Sequence, residues 1–172
     1  IEAKALGVKG SESIEELESN SNLMELVEEI RLAAGVKMGL GETIDQIPPT
    51  APKLGIVAEP LAYKTLADEM VDVSSASLTT RIWSMGQVHR VLPLTGAMCL
   101  AVACKIPGTL CKRNTKGEGV DIKLANPSGV LPLNAAVEVH GNKISARHVT
   151  AYRTARTLME GNVLVPDHTH QI

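Results

Sequence analysis

Apolar residues change their period along this chain near Lys53. Before it, Leu23, Leu26, Val27, Ile30, Ala33 and Ala34 recur at helical spacing, and a helix capped by Asn22 is expected over that stripe. Glu25, Glu28 and Glu29 near its start, and Arg31 and Lys37 near its end, suit the helix macrodipole. Upstream, Ser13 and Glu16 have capping-box spacing and predict a short helix from residue 14. The stretch GETIDQIPPTAP is a loop, because Pro48, Pro49 and Pro52 forbid continued helix.

Beyond Lys53 the runs are short and strand-like. Leu54 to Ala58 is a buried strand ended by Glu59-Pro60, and residues 61–71 fit either a helical turn or a long loop. Val73 to Trp83 alternates weakly and is rich in β-branched residues, so it reads as a strand leading into a turn at Ser84-Met85-Gly86. Residues 94–105 carry no charge before Lys105 and are apolar on every side, which predicts a centrally buried helix stopped at Ile106-Pro107-Gly108. Strands are expected over 120–124, 130–140 and 144–153, with a tight turn at Gly141-Asn142, and a final hairpin or strand over 158–165. These elements predict an α+β fold, a curved and mostly antiparallel sheet wrapped around one buried helix.

Composition narrows the function classes. The chain has 172 residues, 44% of them hydrophobic and 21% charged, which suits one globular domain. A net charge of −2 points to neither a nucleic-acid nor a membrane partner. Aromatic residues are 2% of the chain, too few for recognition of bases or sugars by stacking. The 3 cysteines sit among apolar neighbours and read as reduced thiols, which places the protein in the cytoplasm. No apolar run reaches the roughly 18 residues of a membrane span. The first residue is Ile1, so a fragment or processed half of a longer protein is expected.

The segment from Arg81 to Gly108 holds the candidate chemistry. Thr95 is an expected N-cap of the central helix, and Gly96 lets a ligand approach its first free N–H groups. With His89 and Arg90 just upstream, that helix entry suits a carboxylate or phosphate. The plainer alternative is a Thr95 that only caps a core helix and an Arg90 that only meets solvent. Cys99 and Cys104 read as packing residues and Cys111 as a loop thiol, since their spacing makes neither a metal pair nor a redox motif. His140 and His148 flank a hairpin, His168 and His170 form a terminal tail that reads as a frayed end with metal binding as the alternative, and Arg153, Arg156 and Glu160-Gly161 fit an ion-paired sheet edge. Dinucleotide, P-loop and zinc-protease motifs are absent.

Three ordered stretches resemble one family. RIWSMGQVHRVLPLTGAMCLAVACKIPGT (81–109) is similar to the central segment of the C-terminal half of PrpF-type isomerases. IRLAAGVKMGLG (30–41) resembles their Arg-bearing helix ending in a Met-Gly turn, and YRTARTLMEGNVLVP (152–166) resembles their closing strand. The family includes methylaconitate and aconitate isomerases, methylitaconate Δ-isomerase and 4-oxalomesaconate tautomerase. The resemblance implies a diaminopimelate-epimerase-like fold, in which two similar domains face each other across an active-site cleft. This chain would be the second domain, at 53–166, preceded by a helical linker segment at 1–52 and followed by a tail at 167–172. The first domain would lie outside the sequence.

The same resemblance implies an isomerase that moves a proton and a C=C bond within an unsaturated di- or tricarboxylate, with neither metal nor organic cofactor. True epimerases place a catalytic Cys just before the central helix. Here the stretch is Leu92-Pro93-Leu94-Thr95-Gly96, which argues against two-cysteine racemisation. The base is expected in the first domain, so catalytic residues cannot be placed in this chain, which alone would be inactive. Its implied share is the anion-holding wall: Ser84, Met85 and Gly86 lining the cleft, His89 and Arg90 pairing with carboxylate, and Thr95 and Gly96 donating backbone N–H groups. The implied partners are a small carboxylate and the N-terminal half of the same enzyme, the full-length protein being a possible homodimer. The alternatives from other classes are a non-catalytic carboxylate-binding domain and a structural partner that completes another chain's fold.

Overall fold

Alternation along the strands decides how the chain packs. In the computed structural model, which describes residues 1–117, 119–141, 143–152 and 155–164, six strands form one sheet. In chain order its members are β1 (Leu54–Ala58), β4 (Leu78–Ser84), β5 (Gln87–Val88), β6 (Asp121–Asn126), β7 (Gly129–His140) and β8 (Lys143–Ala151). A separate two-stranded ribbon pairs β2 (Tyr63–Lys64) with β3 (Met70–Val71). The spatial order is β1-β4-β6-β7-β8, with β5 hairpinned onto β4. All pairings are antiparallel except β4 with β6, where Leu78 faces Leu124. A register shift between Ala136 and Val137 marks a bulge in the long β7–β8 hairpin.

Side chains that point to opposite faces of this sheet feed two cores. On one face Leu78 and Ile82 of β4 join Ile122, Leu124 and Leu133 around Ala97, Ala101 and Cys104 of α3 (Leu94–Ala103) and its C-terminal flank. On the other face Leu54, Ile56 and Trp83 pack under Leu17 of α1 (Ile14–Glu18) and Leu23 and Val27 of α2 (Ser21–Lys37). The architecture is the curved, mostly antiparallel α+β arrangement expected from the sequence. Among the described residues no helix is long and apolar enough to cross a membrane.

Several local expectations need correction. The α2 cap is Asn20, whose side chain accepts from Leu23 N at 3.1 Å, and Asn22 lies inside the helix. The strand expected from Val73 starts only at Leu78, because Asp72 caps a single turn over Val73–Ser75. Residues 110–114 form a helix, α4, whose cap Thr109 accepts from Lys112 N at 3.1 Å. Cys111 therefore belongs to a helix and not to a loop. Residues 158–164 form no strand, and Leu158, Met159, Val163 and Leu164 are exposed. The sheet covers α3 on one side only: Ala97 and Ala101 are fully buried, whereas Leu94, Thr95 and Cys99 are open to solvent. Cys99 is thus no packing residue in this chain. Asn142, Arg153, His168 and His170 lie outside the described residues.

Candidate functional site

The tip of the β4–β5 hairpin carries the first unusual backbone. Trp83 pairs with Val88 and Ser84 with Gln87, which leaves Met85 and Gly86 as a two-residue loop. Both have positive φ, 55° at Met85 and 75° at Gly86, the pattern of a primed hairpin turn. Glycine adopts it freely, but Met85 does so at a cost and holds its thioether side chain in solvent.

The second component arrives from β1. Leu54 is paired with Trp83, so continuing the antiparallel register by one step sets Lys53 beside Ser84. Lys53 Nζ donates to Ser84 Oγ at 2.8 Å. The loop before Lys53 is held from behind by Arg31, buried in α2. Its Nη1 donates to Pro48 O at 2.9 Å and Ala51 O at 3.0 Å, while Nε and Nη2 each reach Glu28 at 2.7 Å. Donating to the Glu28 carboxylate holds the Arg31 guanidinium above its ordinary pKa, so the anchor stays charged.

His89 closes the group. Its backbone N–H donates to Ile82 O at 2.8 Å, and its ring Nε2 is buried without a hydrogen-bond partner among the described residues. Burial, and then the positive charge of Lys53, push the imidazole below its ordinary pKa, so it is neutral near pH 7. Lys53, Ser84, Met85, Gln87, His89 and Arg90 line one open pocket of 550 Å³. Two cationic side chains, a hydroxyl and an imidazole line it together. Such a set binds a carboxylate group by charge-assisted hydrogen bonds. Among the described residues no cluster of His, Cys, Asp and Glu could hold a metal.

The structure therefore brings four of the residues singled out from the sequence, Ser84, Met85, His89 and Arg90, to one pocket. Gly86 is exposed at the hairpin tip beside it. Thr95 and Gly96 do not line it. Thr95 is not the N-cap: α3 begins at Leu94 with Pro93 in the cap position and no side-chain cap bond. Thr95 instead sits in the first turn, exposed. Ala97 N donates to Pro93 O at 2.8 Å, so the N–H groups of Leu94, Thr95 and Gly96 precede the first intrahelical bond. Gly96 has a packing reason of its own, since a Cβ there would lie 3.0 Å from Ile82 Cδ1.

Lys53 and Gln87 were not singled out from the sequence. The one signal for Lys53 was a lysine directly ahead of a buried strand run, and its partner is 31 residues away. The remaining histidines stand apart from the pocket. His140 lies 3.5 Å from Glu138, which Arg147 also reaches at 2.8 Å, and His148 is exposed on β8. Arg156 and Glu160 are exposed in a segment without regular structure and form no sheet edge.

Comparison with known proteins adds independent observations. The sequence profile of a family described as PrpF protein matches residues 1–166. A 2-methyl-aconitate isomerase of Shewanella oneidensis is 33% identical over 170 residues, which is 96% of this chain and 43% of that protein. A 3-methylitaconate isomerase of Eubacterium barkeri is 27% identical over 96% of this chain and 44% of its own length. The crystal structure of a methylitaconate-delta-isomerase superposes with a TM-score of 0.79 at 23% identity, over 89% of this chain and 42% of that one. That likeness shows the fold, the diaminopimelate-epimerase-like sheet around a central helix. The chain spans less than half the length of the relatives it matches.

Proposed function

Because this chain belongs to the PrpF family, we propose that it supplies the carboxylate-holding wall of an isomerase acting on an unsaturated di- or tricarboxylate. The observation that carries this reading is the pocket lined by Lys53, Ser84, His89 and Arg90, with Lys53 hydrogen-bonded to Ser84. The names of the relatives, isomerases of methylaconitate and methylitaconate, agree with a carboxylate ligand.

The reaction moves a proton and with it a C=C bond. Removing a proton next to a conjugated acid sends negative charge onto the carboxylate oxygens, a dienolate-like species. Lys53 and Arg90 offer positive charge where that density accumulates, and the Ser84 hydroxyl offers a donor. Met85, fixed by its strained turn, presents an apolar surface to the carbon skeleton. The base comes from the N-terminal half of the full-length enzyme, so this chain alone binds without turning over.

The test uses both forms in D2O with trans-aconitate, methylaconitate and methylitaconate. The full-length enzyme exchanges a substrate proton for deuterium and forms the isomer, while the 172-residue chain binds the same acids and exchanges nothing. Full-length protein that binds these acids yet exchanges no proton overturns the isomerase reading in favour of a non-catalytic carboxylate-binding domain. Absence of binding by both forms overturns the site as well.

A further inference from the structure

Arg81 is a buried cation for which the described residues provide no carboxylate partner. It lies on β4 with 1% of its surface exposed, and by alternation it faces away from α3, on the side of the sheet opposite Ser84. Its Nε donates to Glu12 O at 3.0 Å and its Nη1 to Thr80 O at 2.9 Å, and its guanidinium stacks 5.0 Å from the Tyr63 ring centroid. Both acceptors are backbone carbonyls. Glu12 is near, but its carboxylate accepts from the backbone N–H groups of Lys9 and Gly10 at 2.5 and 2.7 Å. Burial without an ion pair pushes the guanidinium below its ordinary pKa, against smaller opposing effects of Tyr63 and Glu12. Buried charges in folded proteins are normally paired, because desolvation of a lone ion costs several kcal/mol.

Arg81 is not sealed in. It lines a 300 Å³ pocket together with Arg90, Lys64, Thr65 and Glu15. Lys64 is already paired with Asp68 at 2.8 Å, and Glu15 is exposed on α1. Arg90 forms no ion pair among the described residues and lines this pocket as well as the one beside Ser84. Donors of Arg81 beyond the two already used, and the fork of Arg90, remain for an acceptor with paired oxygens.

We propose that Arg81 and Arg90 form a second anion site, on the sheet face away from α3, that takes a small oxyanion of the carboxylate or phosphate class. The guanidinium forks supply the recognition, and the tetrahedral or planar shape of the ion is secondary. The site is separate from the carboxylate pocket of Lys53 and Ser84, sharing only Arg90.

The experiment titrates the 172-residue chain with inorganic phosphate and, separately, with acetate, each against chloride of equal ionic strength. The expected result is a saturable shift of the Arg81 Nε–Hε NMR signal and a raised unfolding temperature relative to chloride. Phosphate acting alone assigns a phosphate-class ligand, and both acting assigns a site for either oxyanion. Read at the Arg81 signal, Arg90→Met weakens the affinity at least tenfold and Lys53→Met leaves it unchanged, whereas Arg81→Met removes the thermal shift that Lys53→Met retains. If Arg81→Met does not fold, Arg90→Met and the Arg81 signal decide. An Arg81 signal that neither probe moves beyond the chloride control overturns the proposal. Loss of the effect in Lys53→Met also overturns it, since the ion would then sit in the other pocket, and the function proposed above would stand.

Discussion

Lys53 and Ser84 meet across two neighbouring strands, with Nζ donating to Oγ at 2.8 Å. The pair extends the β1–β4 register by one step past Leu54 and Trp83. It sets a cation at the rim of the sheet, where it acts on the half-buried His89 ring and faces a pocket rather than the core.

That arrangement predicts the behaviour of His89. Lys53 lowers the imidazole pKa in addition to burial, so Lys53→Met raises it toward the ordinary value. A histidine NMR titration of the two proteins checks the direction. An unmoved His89 curve would show that the charge of Lys53 is not felt at the ring.

His89 also sets a pH dependence of stability. Its folded pKa lies below the unfolded value near 6.5, so the unfolded chain binds the extra proton first. Stability contributed by the neutral ring is complete above pH 6.5 and is lost as pH falls from there toward the folded pKa. Glu28 and Glu138, held low by Arg31 and Arg147, lose their contribution only below the ordinary carboxylate range near 4.5. Urea unfolding midpoints measured between pH 7 and 5 should fall for the parent and stay flatter for His89→Gln.

The proposed carboxylate site predicts a dependence of binding on both Lys53 and Arg90. Each charge-assisted contact is worth about 1.5–3 kcal/mol, so Lys53→Met and Arg90→Met should each weaken trans-aconitate binding by roughly tenfold or more. Calorimetric titration of the chain measures it. Equal affinity in parent and both variants would remove these residues from the site.

Arg31 supports Lys53 from the far side of the loop. Replacing it with Met removes two bonds to Pro48 and Ala51 and the bidentate contact with Glu28. The expected loss of stability is about 2–3 kcal/mol, read from denaturant unfolding.

Gly96 tests packing against ligand approach. A Cβ would sit 3.0 Å from Ile82 Cδ1, so Gly96→Val overfills the α3–β4 contact and should cost about 1–3 kcal/mol. The same change in an Ile82→Val background should cost less, because the contacting methyl is gone. A cost identical in both backgrounds would place the penalty elsewhere.

Much of this protein was legible one segment at a time. The Ser13–Glu16 capping box forms as its spacing requires, with Glu16 N to Ser13 Oγ at 3.1 Å and Ser13 N to Glu16 Oε2 at 2.7 Å. The strand at Leu54–Ala58, the turn at Met85-Gly86 and the helix from Leu94 also follow from residues within a few positions of each other. Three ordered motifs sufficed to identify the family, because residue order survives in the chain without any coordinates. Spacing alone does not fix a helix cap. Pro93 precedes α3 where Thr95 was expected, because a hydroxyl at the right spacing is only one of several ways to begin a helix.

Only the tertiary structure decided the pocket. Lys53 has no sequence neighbour that marks it. Its meaning comes from strand register, which pairs residues 31 apart and depends on which faces of β1 and β4 are buried. The same register turns Arg81 and Ser84 to opposite faces of one strand, three residues apart, and so separates two clusters that one motif contains. Hydrophobic periodicity reports which side of an element is covered, but not by what. Side-chain charge and hydroxyl groups acquire their chemistry from what covers them, a property of the folded sheet and not of the local sequence.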